Sequence, residues 1–514
     1  MLQTDFEQPQ RRLHSLQGGW LLLIAFVSGA MTVASFAPFS LHLLALSGPA
    51  LLFFLWLYAS PRQAFFLGWA YGSGLLGFGV FWMHISIDKF GNVGTLLAIF
   101  ITLLFVVSVA LLYGLVGWCA GYMAKRYGPA LALVLFFPLF WVIGEWLRGW
   151  LFTGFPWLVL GYSQINSPLA GYAPLAGVYG VSWMLLLSAA FLVLLFKGKG
   201  YHKAIAFAVL LLIWGVAIPL KDVQWTRPAG EPIKISMIQA NIEQEAKWRP
   251  ENRRATLKLY TDLTRANWES DLIIWPETAV PAFAHLIEES LLQPLSTEAV
   301  EQGSELLIGI PVWNSESGQF YNAMISLGAI RDSYYKRHLV PFGEFMPLKF
   351  LLRPLIDWLQ IPMSDFTPGE KERPLLQVVG YPAGISVCYE DVFGEEVIQA
   401  MPQAAFLINA SNDAWFGDSL APPQHLEIAR MRSLETGRYM LRSTNTGISA
   451  LIGPQGELLA QSPAFEQHVL SGEIIPMSGS TPYAVVGNWL VVSFALLLLF
   501  FTLLHARWRI WKKR

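Results

Sequence analysis

Charged residues are scarce in this sequence. Lys, Arg, Asp and Glu make up 14% of the 514 residues, whereas an ordinary soluble protein has about 25%. The formal net charge is −1, so the sequence lacks the basic excess with which proteins attract nucleic acids. A nucleic-acid partner is therefore disfavoured, and the hydrophobic share of 54% points to a membrane protein.

Cysteine is nearly absent as well. Cys119 lies in a long apolar stretch and Cys388 in the more polar half of the chain. A disulfide between two such positions is geometrically unfavourable, so a disulfide-stabilised secreted framework is excluded. The lone thiol at Cys388 needs a different explanation.

Long apolar runs are abundant. Eight stretches approach the length of about 20 residues that a helix needs to cross a bilayer: residues 19–37, 41–59, 64–84, 93–116, 129–147, 174–196, 203–220 and 486–505. The first resembles a signal peptide but has no clear cleavage site, so it is interpreted as a retained anchor. We predict a membrane domain at 1–220 with seven transmembrane helices, an outer domain at 221–484, and a last helix with a basic tail at 485–514.

Lysine and arginine near the ends of these stretches predict their orientation. Such residues stay on the cytoplasmic side, and one side collects most of them: Arg11, Arg12, Arg62, Lys125, Arg126, Lys197, Lys199, Lys203, Arg507, Arg509, Lys512, Lys513 and Arg514. The domain at 221–484 then lies on the opposite side of the membrane, tethered at both ends.

Alternating and continuous apolar runs in the outer domain predict an α/β fold. Strands are expected at 233–242, 270–278, 304–313, 320–329, 384–390 and 404–413, a helix at 425–441, and a hairpin around 453–456. Helical stretches follow several of these strands. Loops at strand ends are where α/β proteins assemble their sites.

Three reactive side chains occupy such strand ends. Cys388 follows the run GISV, Glu277 ends LIIWPET, and Lys336 lies in YYKRHLVPFGE. A nucleophilic thiol needs a base to take its proton and a positive group to stabilise the oxyanion. Each residue alone is more often packing or solvated surface, but the combination predicts an acyl-transfer site.

The motifs WPET, YYKRHLVPFGE and CYED resemble those of the nitrilase superfamily, with its Glu-Lys-Cys triad. With eight predicted spans and NDAWFG at 412–417, the chain resembles the bacterial apolipoprotein N-acyltransferases. The resemblance implies a polytopic helical membrane domain plus a nitrilase-like αββα sandwich. It also implies Glu277 as general base, Lys336 as oxyanion stabiliser and Cys388 as acyl-carrying nucleophile.

The resemblance extends to supporting residues. Glu344 and Glu390 are each expected to hold the Lys336 ammonium or relay a proton, with pairing to an arginine as the alternative. Tyr389 is expected to offer its backbone N–H to the oxyanion, while its ring has packing as an equal alternative. The substrate-binding candidates are Trp248, near the substrate entrance, and Trp415 with Phe416, which form an active-site wall, a membrane-facing loop or ordinary core.

The implied reaction moves an acyl chain from the sn-1 position of a phospholipid such as phosphatidylethanolamine to a thioester on Cys388. The chain then passes to the α-amine of the N-terminal diacylglyceryl-cysteine of an apolipoprotein. The implied enzyme is a monomer in the bacterial inner membrane, its catalytic domain faces the periplasm, and it needs no metal or other cofactor.

Three other functions remain open at the level of the sequence. A membrane-tethered amidase would use the same triad, but a single anchor would suffice for it. A lipid-binding scaffold would have an inactive triad; the intact triad argues against it, and labelling of Cys388 by a thiol-reactive acyl probe would exclude it. A transporter would need charged residues within the spans, and these are scarce.

Overall fold

The computed structural model describes residues 18–345, 365–370 and 374–511. The described chain forms two compact units. The first contains the residues up to Phe81, Phe100–Val223 and those from Val486 onward, and the second contains Trp82–Ile99 and Gln224–Val485. The segment 82–99, which the sequence assigned to the membrane domain, therefore groups with the second unit.

The first unit is helical. Its main helices are Gly18–Thr32, Leu43–Leu57, Pro61–Gly79, Thr95–Tyr127, Phe137–Arg148, Ala173–Lys197, Tyr201–Lys221 and Trp489–Trp511. By length and apolar composition, four helical stretches of the described chain can cross a membrane, or five if the bent pair Pro61–Gly79 and Met83–Gly91 is one span. Three of the predicted spans are shorter apolar helices, because hydropathy does not register where a helix breaks. The count of eight stays a prediction.

The second unit is built on β-strands. They are β1 Thr226–Pro228, β2 Ile233–Gln239, β3 Leu272–Ile274, β4 Glu305–Asn314, β5 Gln319–Leu327, β6 Ser333–Tyr335, β7 Leu375–Val378, β8 Tyr381–Val387, β9 Phe406–Ser411, β10 Met440–Thr444, β11 Ala450–Ile452, β12 Leu458–Gln461, β13 His468–Ile474 and β14 Met477–Gly479. One six-stranded sheet has the order β13-β2-β3-β4-β5-β6 and the other β12-β11-β10-β9-β8-β7, while β1 pairs with β14.

Apolar side chains alternate between the two faces of the strands, and this allows the two sheets to pack as a layered sandwich. In β2, Ile233, Ile235 and Met237 join a core cluster that also contains Ile385 and Phe406 of the other sheet. Because successive side chains of a strand point to opposite faces, Ile238 packs into a different cluster on the outer face of the first sheet.

Helices cover both outer faces of the sandwich. Leu257, Leu259 and Leu263 of the helix Pro250–Arg265 pack on the first sheet's outer cluster. Leu426 and Ala429 of the helix Ala421–Thr436 belong to the cluster on the second. The layers therefore run helix, sheet, sheet, helix, as the αββα prediction requires.

Both sheets contain three adjacent parallel strands. β2, β3 and β4 are parallel in the first sheet, and β8, β9 and β10 in the second. The carboxyl ends of parallel strands meet at one edge of a sheet, which is where ligands bind in α/β folds. The chain leaves this edge through the segments that contain Glu277 and Cys388.

A strand overlaps each predicted range and the hairpin is confirmed, but the strand predicted at 384–390 is Tyr381–Val387 and the one predicted at 270–278 is only Leu272–Ile274. The prediction of a helix at 425–441 was wrong at its end. The helix is Ala421–Thr436, and Gly437 caps it in the left-handed conformation with a φ of 64°. Glycine adopts this conformation without a Cβ penalty and so ends helices readily. Met440 and Leu441 consequently belong to β10.

Candidate active site

Glu277 lies three residues beyond the end of β3, in a segment that begins with Trp275 and Pro276. The residue is buried, and its Oε1 accepts hydrogen bonds from Asn322 Nδ2 at 2.8 Å and Lys336 Nζ at 3.3 Å. Its other oxygen, Oε2, is buried without a hydrogen-bond partner in the described part of the chain. A carboxylate held at one oxygen and free at the other is suited to accept a proton.

Lys336 follows β6 directly, and its backbone N–H donates to Asn322 O at 2.8 Å. The side chain is 1% exposed, and its Nζ lies 2.9 Å from both carboxylate oxygens of Glu344. Burial lowers the pKa of this lysine, but Glu344 and then Glu277 outweigh it and raise the pKa well above its ordinary value. Lys336 is therefore a fixed positive charge at neutral pH.

Cys388 stands at the turn between β8 and the short helix Cys388–Val392. Its φ of 53° lies in the left-handed region, which costs free energy for a residue with a Cβ. Asn409 of β9 holds the turn because its Nδ2 donates to Cys388 O at 3.1 Å and to the Ser386 hydroxyl at 3.0 Å. Such a turn places the Cys388 side chain at the junction of strand and helix, where it is only 8% exposed.

The environment of Cys388 keeps the thiol protonated. Burial and the charge of Glu277 raise its pKa well above the ordinary value, and the charge of Lys336 offsets only part of that increase. The same interactions show that Glu277 and Lys336 act electrostatically on the sulfur. The site thus brings the three predicted triad residues together around a neutral thiol rather than a preformed thiolate.

The alkylation rate of Cys388 should report this raised pKa. Since only the thiolate reacts, iodoacetamide is expected to modify Cys388 slowly at neutral pH, and the rate should rise about tenfold per pH unit. Peptide mapping resolves Cys388 from Cys119 and gives the rate for each. A Cys388 rate that is level between about pH 6 and pH 8 would mean a stable thiolate and would contradict the assignment.

Glu344 and Asn322 contact the triad residues Lys336 and Glu277. Asn322 Nδ2 donates to Glu277 Oε1 and, at 3.1 Å, to Glu344 Oε1. Glu344 Oε2 also accepts the Val340 backbone N–H at 2.8 Å. The expectation that Glu344 holds the lysine ammonium matches this geometry. Asn322 was missed in the sequence, where one asparagine within the apolar strand β5 was the only signal.

Glu390 has a different position from the one expected. Its buried carboxylate accepts hydrogen bonds from the Tyr334 hydroxyl and from the backbone N–H groups of Arg337, His338 and Val387. The carboxylate therefore ties the segment after Lys336 to the strand before Cys388, and it holds backbone rather than the lysine ammonium. Burial raises its pKa, although these hydrogen bonds act in the opposite direction.

The aromatic candidates lie in two places. The Tyr389 ring packs edge-on against Phe393, so its packing alternative holds. Trp415 packs against Phe90 with ring centroids 4.2 Å apart and tilted planes, and Phe416 lies edge-on to Trp82 at 4.7 Å. The segment 82–91 of the second unit is thus a wall for NDAWFG.

Trp248 is exposed over 46% of its surface. This exposure suits a residue that contacts substrate more than one that belongs to the core. The short helix Gln244–Lys247 precedes it. Gln244 Oε1 accepts a hydrogen bond from Asn412 Nδ2 at 2.6 Å, so this helix is fastened to the start of NDAWFG.

A buried charge cluster of Asp391, Asp413, His425 and Arg442 lies behind the nucleophile. Arg442 Nη2 is 3.0 Å from Asp413 Oδ2, Nη1 is 3.4 Å from Asp391 Oδ2, and His425 Nε2 is 2.7 Å from Asp391 Oδ1. Arg442 Nη1 also donates to Asn409 Oδ1 at 2.6 Å. Through Asn409 the cluster supports the backbone of Cys388. The cluster was not predicted from the sequence, although an arginine within an apolar strand was a signal.

Family models match both units. One described as carbon-nitrogen hydrolase matches residues 234–483, and one described as the N-terminal domain of apolipoprotein N-acyltransferase matches residues 28–191. Among solved structures, a Saccharomyces cerevisiae member of branch 10 of the nitrilase superfamily is 16% identical, with a TM-score of 0.36 over 48% of this chain and 92% of its own.

Relatives match nearly the whole length. The apolipoprotein N-acyltransferase of Methylococcus capsulatus is 46% identical over 470 residues, which are 91% of this chain and 93% of the relative. That of Nitrosomonas europaea is 42% identical over 490 residues, which are 94% of this chain and 97% of the relative. The resemblance that the motifs indicated is thereby confirmed, and the chain belongs to the apolipoprotein N-acyltransferase family.

Proposed function

We propose that this member of an acyltransferase family N-acylates apolipoproteins and takes the acyl chain from the sn-1 ester of a phospholipid such as phosphatidylethanolamine. The acceptor is the α-amine of an N-terminal diacylglyceryl-cysteine. The observation that carries the proposal is the convergence of Glu277, Lys336 and Cys388 at one end of the sandwich. The free Oε2 of Glu277 supports its part as base.

In the first half-reaction, Glu277 takes the proton of the Cys388 thiol as the sulfur attacks the ester carbonyl carbon. The Lys336 ammonium and the backbone N–H of Tyr389 stabilise the oxyanion that forms. When the intermediate collapses, the C–O bond breaks and Glu277 returns its proton to the departing oxygen. A lysophospholipid leaves, and the acyl chain remains on Cys388 as a thioester.

In the second half-reaction, the acceptor amine attacks the thioester carbonyl carbon. Glu277 removes a proton from the nitrogen, and Lys336 again stabilises the oxyanion. The C–S bond then breaks, the amide is released, and the sulfur regains a proton from Glu277. Burial of all three triad residues supports this route, because water is kept away from the thioester.

The setting of the reaction belongs to the same proposal. The apolar helices of the first unit, including the three shorter ones, make up eight spans in the bacterial inner membrane. The alternation of lysine and arginine along the chain supports a catalytic unit that faces the periplasm. In this proposal the enzyme acts as a monomer, and its site candidates Trp248, Trp415 and Phe416 contact the lipid substrates.

Intact mass spectrometry tests the function. The purified protein and its Cys388→Ala variant are incubated with phosphatidylethanolamine in detergent micelles without acceptor. We expect one added acyl mass on the unmutated protein only, because the thioester needs the Cys388 sulfur. A synthetic diacylglyceryl-cysteine peptide is added next. The protein should then lose the acyl mass, and the peptide should gain the same mass as an amide.

Two outcomes would contradict the proposal. If no phospholipid gives an acyl adduct, transfer through a thioester is wrong. If the adduct forms but is lost to water as fast without the peptide as with it, the protein is a hydrolase, and an amidase of the carbon-nitrogen hydrolase type becomes the better assignment.

A further inference from the structure

A second buried lysine lies beside the triad. Lys247 is 1% exposed, and it ends the short helix Gln244–Lys247 that follows β2. β2 is the parallel neighbour of β3, so Lys247 and Glu277 come from adjacent strand ends. Nothing in the mechanism above uses this side chain.

The hydrogen bonding of Lys247 is incomplete. Its ammonium has three donors, yet its one contact among the described residues is with the backbone oxygen of Glu277 at 3.5 Å. No carboxylate of the described chain lies within ion-pair distance of it. A buried charge is normally paired, so the vacant donors point to an anionic ligand.

Lys336 provides the comparison. It is equally buried but lies against the carboxylates of both Glu344 and Glu277. Its charge is therefore largely balanced within the site, whereas that of Lys247 is not. Burial lowers the pKa of Lys247 to about 8, although the Glu277 carboxylate acts to raise it. An unpaired cation of this kind gains most from a bound anion.

The two lysines also contact different parts of Glu277. Lys336 lies at the carboxylate, where the thiol proton is received, and Lys247 lies at the backbone oxygen. The oxyanion of the reaction belongs with Lys336 and the Tyr389 N–H. The other anion that a phospholipid brings is its phosphodiester, which is separated from the ester carbonyl by the glycerol backbone.

We propose that the Lys247 ammonium binds the phosphodiester of the phospholipid acyl donor and so positions the sn-1 ester at Cys388. This inference rests on the proposed function, because it assumes a phospholipid donor. The hydrogen bond between Gln244 and Asn412 holds the short helix in place. Lys247 is a donor-binding residue and takes no part in proton transfer.

The test compares two acyl donors. The rate of acyl-adduct formation on Cys388 is measured against donor concentration in micelles, with phosphatidylethanolamine and with p-nitrophenyl palmitate, which has no phosphate. For Lys247→Met, the half-saturating concentration of phosphatidylethanolamine should rise about tenfold to a hundredfold, as for a lost hydrogen bond to a charged group. The p-nitrophenyl ester should react as before, and Lys247→Arg should recover most of the affinity.

Controls separate the possible failures. Lys258→Met removes a lysine whose side chain is 72% exposed, and it should leave the half-saturating concentrations of both acyl donors unchanged. Melting temperatures verify that each variant is folded. If Lys247→Met weakens the reaction with phosphatidylethanolamine and with the p-nitrophenyl ester equally, the lysine acts at the ester carbonyl or on Glu277, and the inference is overturned. It is also overturned if neither donor changes. If the unmutated protein takes no acyl chain from phosphatidylethanolamine, the proposed function itself fails, and the inference fails with it.

Discussion

The Glu277→Gln variant is expected to form the acyl-enzyme about 10²- to 10⁴-fold more slowly than the unmutated protein, the range typical of a lost general base. The amide keeps the shape of the side chain and can still bond to Asn322 and Lys336 through an oxygen. It cannot accept the thiol proton that the unpartnered Oε2 is placed to receive. Stopped-reaction mass spectrometry with phosphatidylethanolamine measures the rate.

The pH dependence of the variant strengthens this prediction. Burial, the largest cause of the raised pKa of Cys388, persists in the variant although the contribution of the Glu277 carboxylate is lost, so the reactive thiolate stays rare at neutral pH. Without a base, acylation depends on the thiolate already present, so the variant's rate should climb about tenfold per pH unit. In the unmutated protein Glu277 takes the proton during attack on the bound ester, so its acylation profile should be flatter, whereas iodoacetamide reacts only with thiolate that has already formed.

Glu305→Gln is the matched control for this experiment. Glu305 is also a partly buried carboxylate of the first sheet, and its Oε2 accepts the Val379 backbone N–H at 2.8 Å. It lies at the start of β4, at the opposite end of the parallel strands from Glu277. Its variant should acylate at the normal rate. If Glu277→Gln lowers the rate of acyl-enzyme formation by less than about tenfold, another residue is the base.

The sequence predicted those parts of the site whose signals are local. Cys388 and Lys336 each follow a strand directly and Glu277 lies three residues beyond one, so the run of apolar residues and the motif beside it are enough to locate them. The layered fold followed from period-2 alternation, as in β2. The chemistry of a thiol, a carboxylate and an ammonium then restricted the reaction to acyl transfer.

The parts that were missed depend on contacts between distant elements. Asn322 contacts Glu277, which is 45 residues away, and Arg442 contacts Asp391, which is 51 residues away. Their signal was a polar residue inside an apolar strand, which must find a partner when it is buried. The sequence does not say which partner, because that depends on how the strands pair within each of the two sheets. For the same reason Glu390 was expected at the lysine ammonium and lies instead at three backbone N–H groups.

Replacing Arg442 with methionine is expected to destabilise the second unit by about 3–5 kcal/mol, as when one partner of a buried ion pair is removed. Arg442 is fully buried and faces Asp391 and Asp413. Methionine fills much of the volume but leaves both carboxylates with His425 as their one basic partner among the described residues. Asn409 also loses the donor at its Oδ1, so the backbone of Cys388 loses support.

Acid should reduce this destabilisation. Burial acts to raise the pKa of Asp413, but Arg442 and His425 outweigh it and the pKa lies well below the ordinary value. A carboxyl with a lowered pKa stabilises the fold above its unfolded pKa, and that stability is lost as pH falls through the folded pKa. Without Arg442 the pKa rises, so the carboxyl can protonate at mild acidity. The difference in free energy of unfolding between the variant and the unmutated protein should become smaller below about pH 4.

Thermal melting of the detergent-solubilised protein at neutral and acidic pH measures both effects. Arg265→Met is the matched control, because Arg265 makes a bidentate pair with Glu298 at 2.8 Å and 2.6 Å on the surface. Exposed pairs contribute about 0–1 kcal/mol, since water solvates both partners when the pair is broken. Equal losses from the two substitutions would show that Arg442 is no more important than a surface arginine. A large loss for Arg442 alone, smaller in acid, would identify the buried charge cluster as the support on which the nucleophile turn rests.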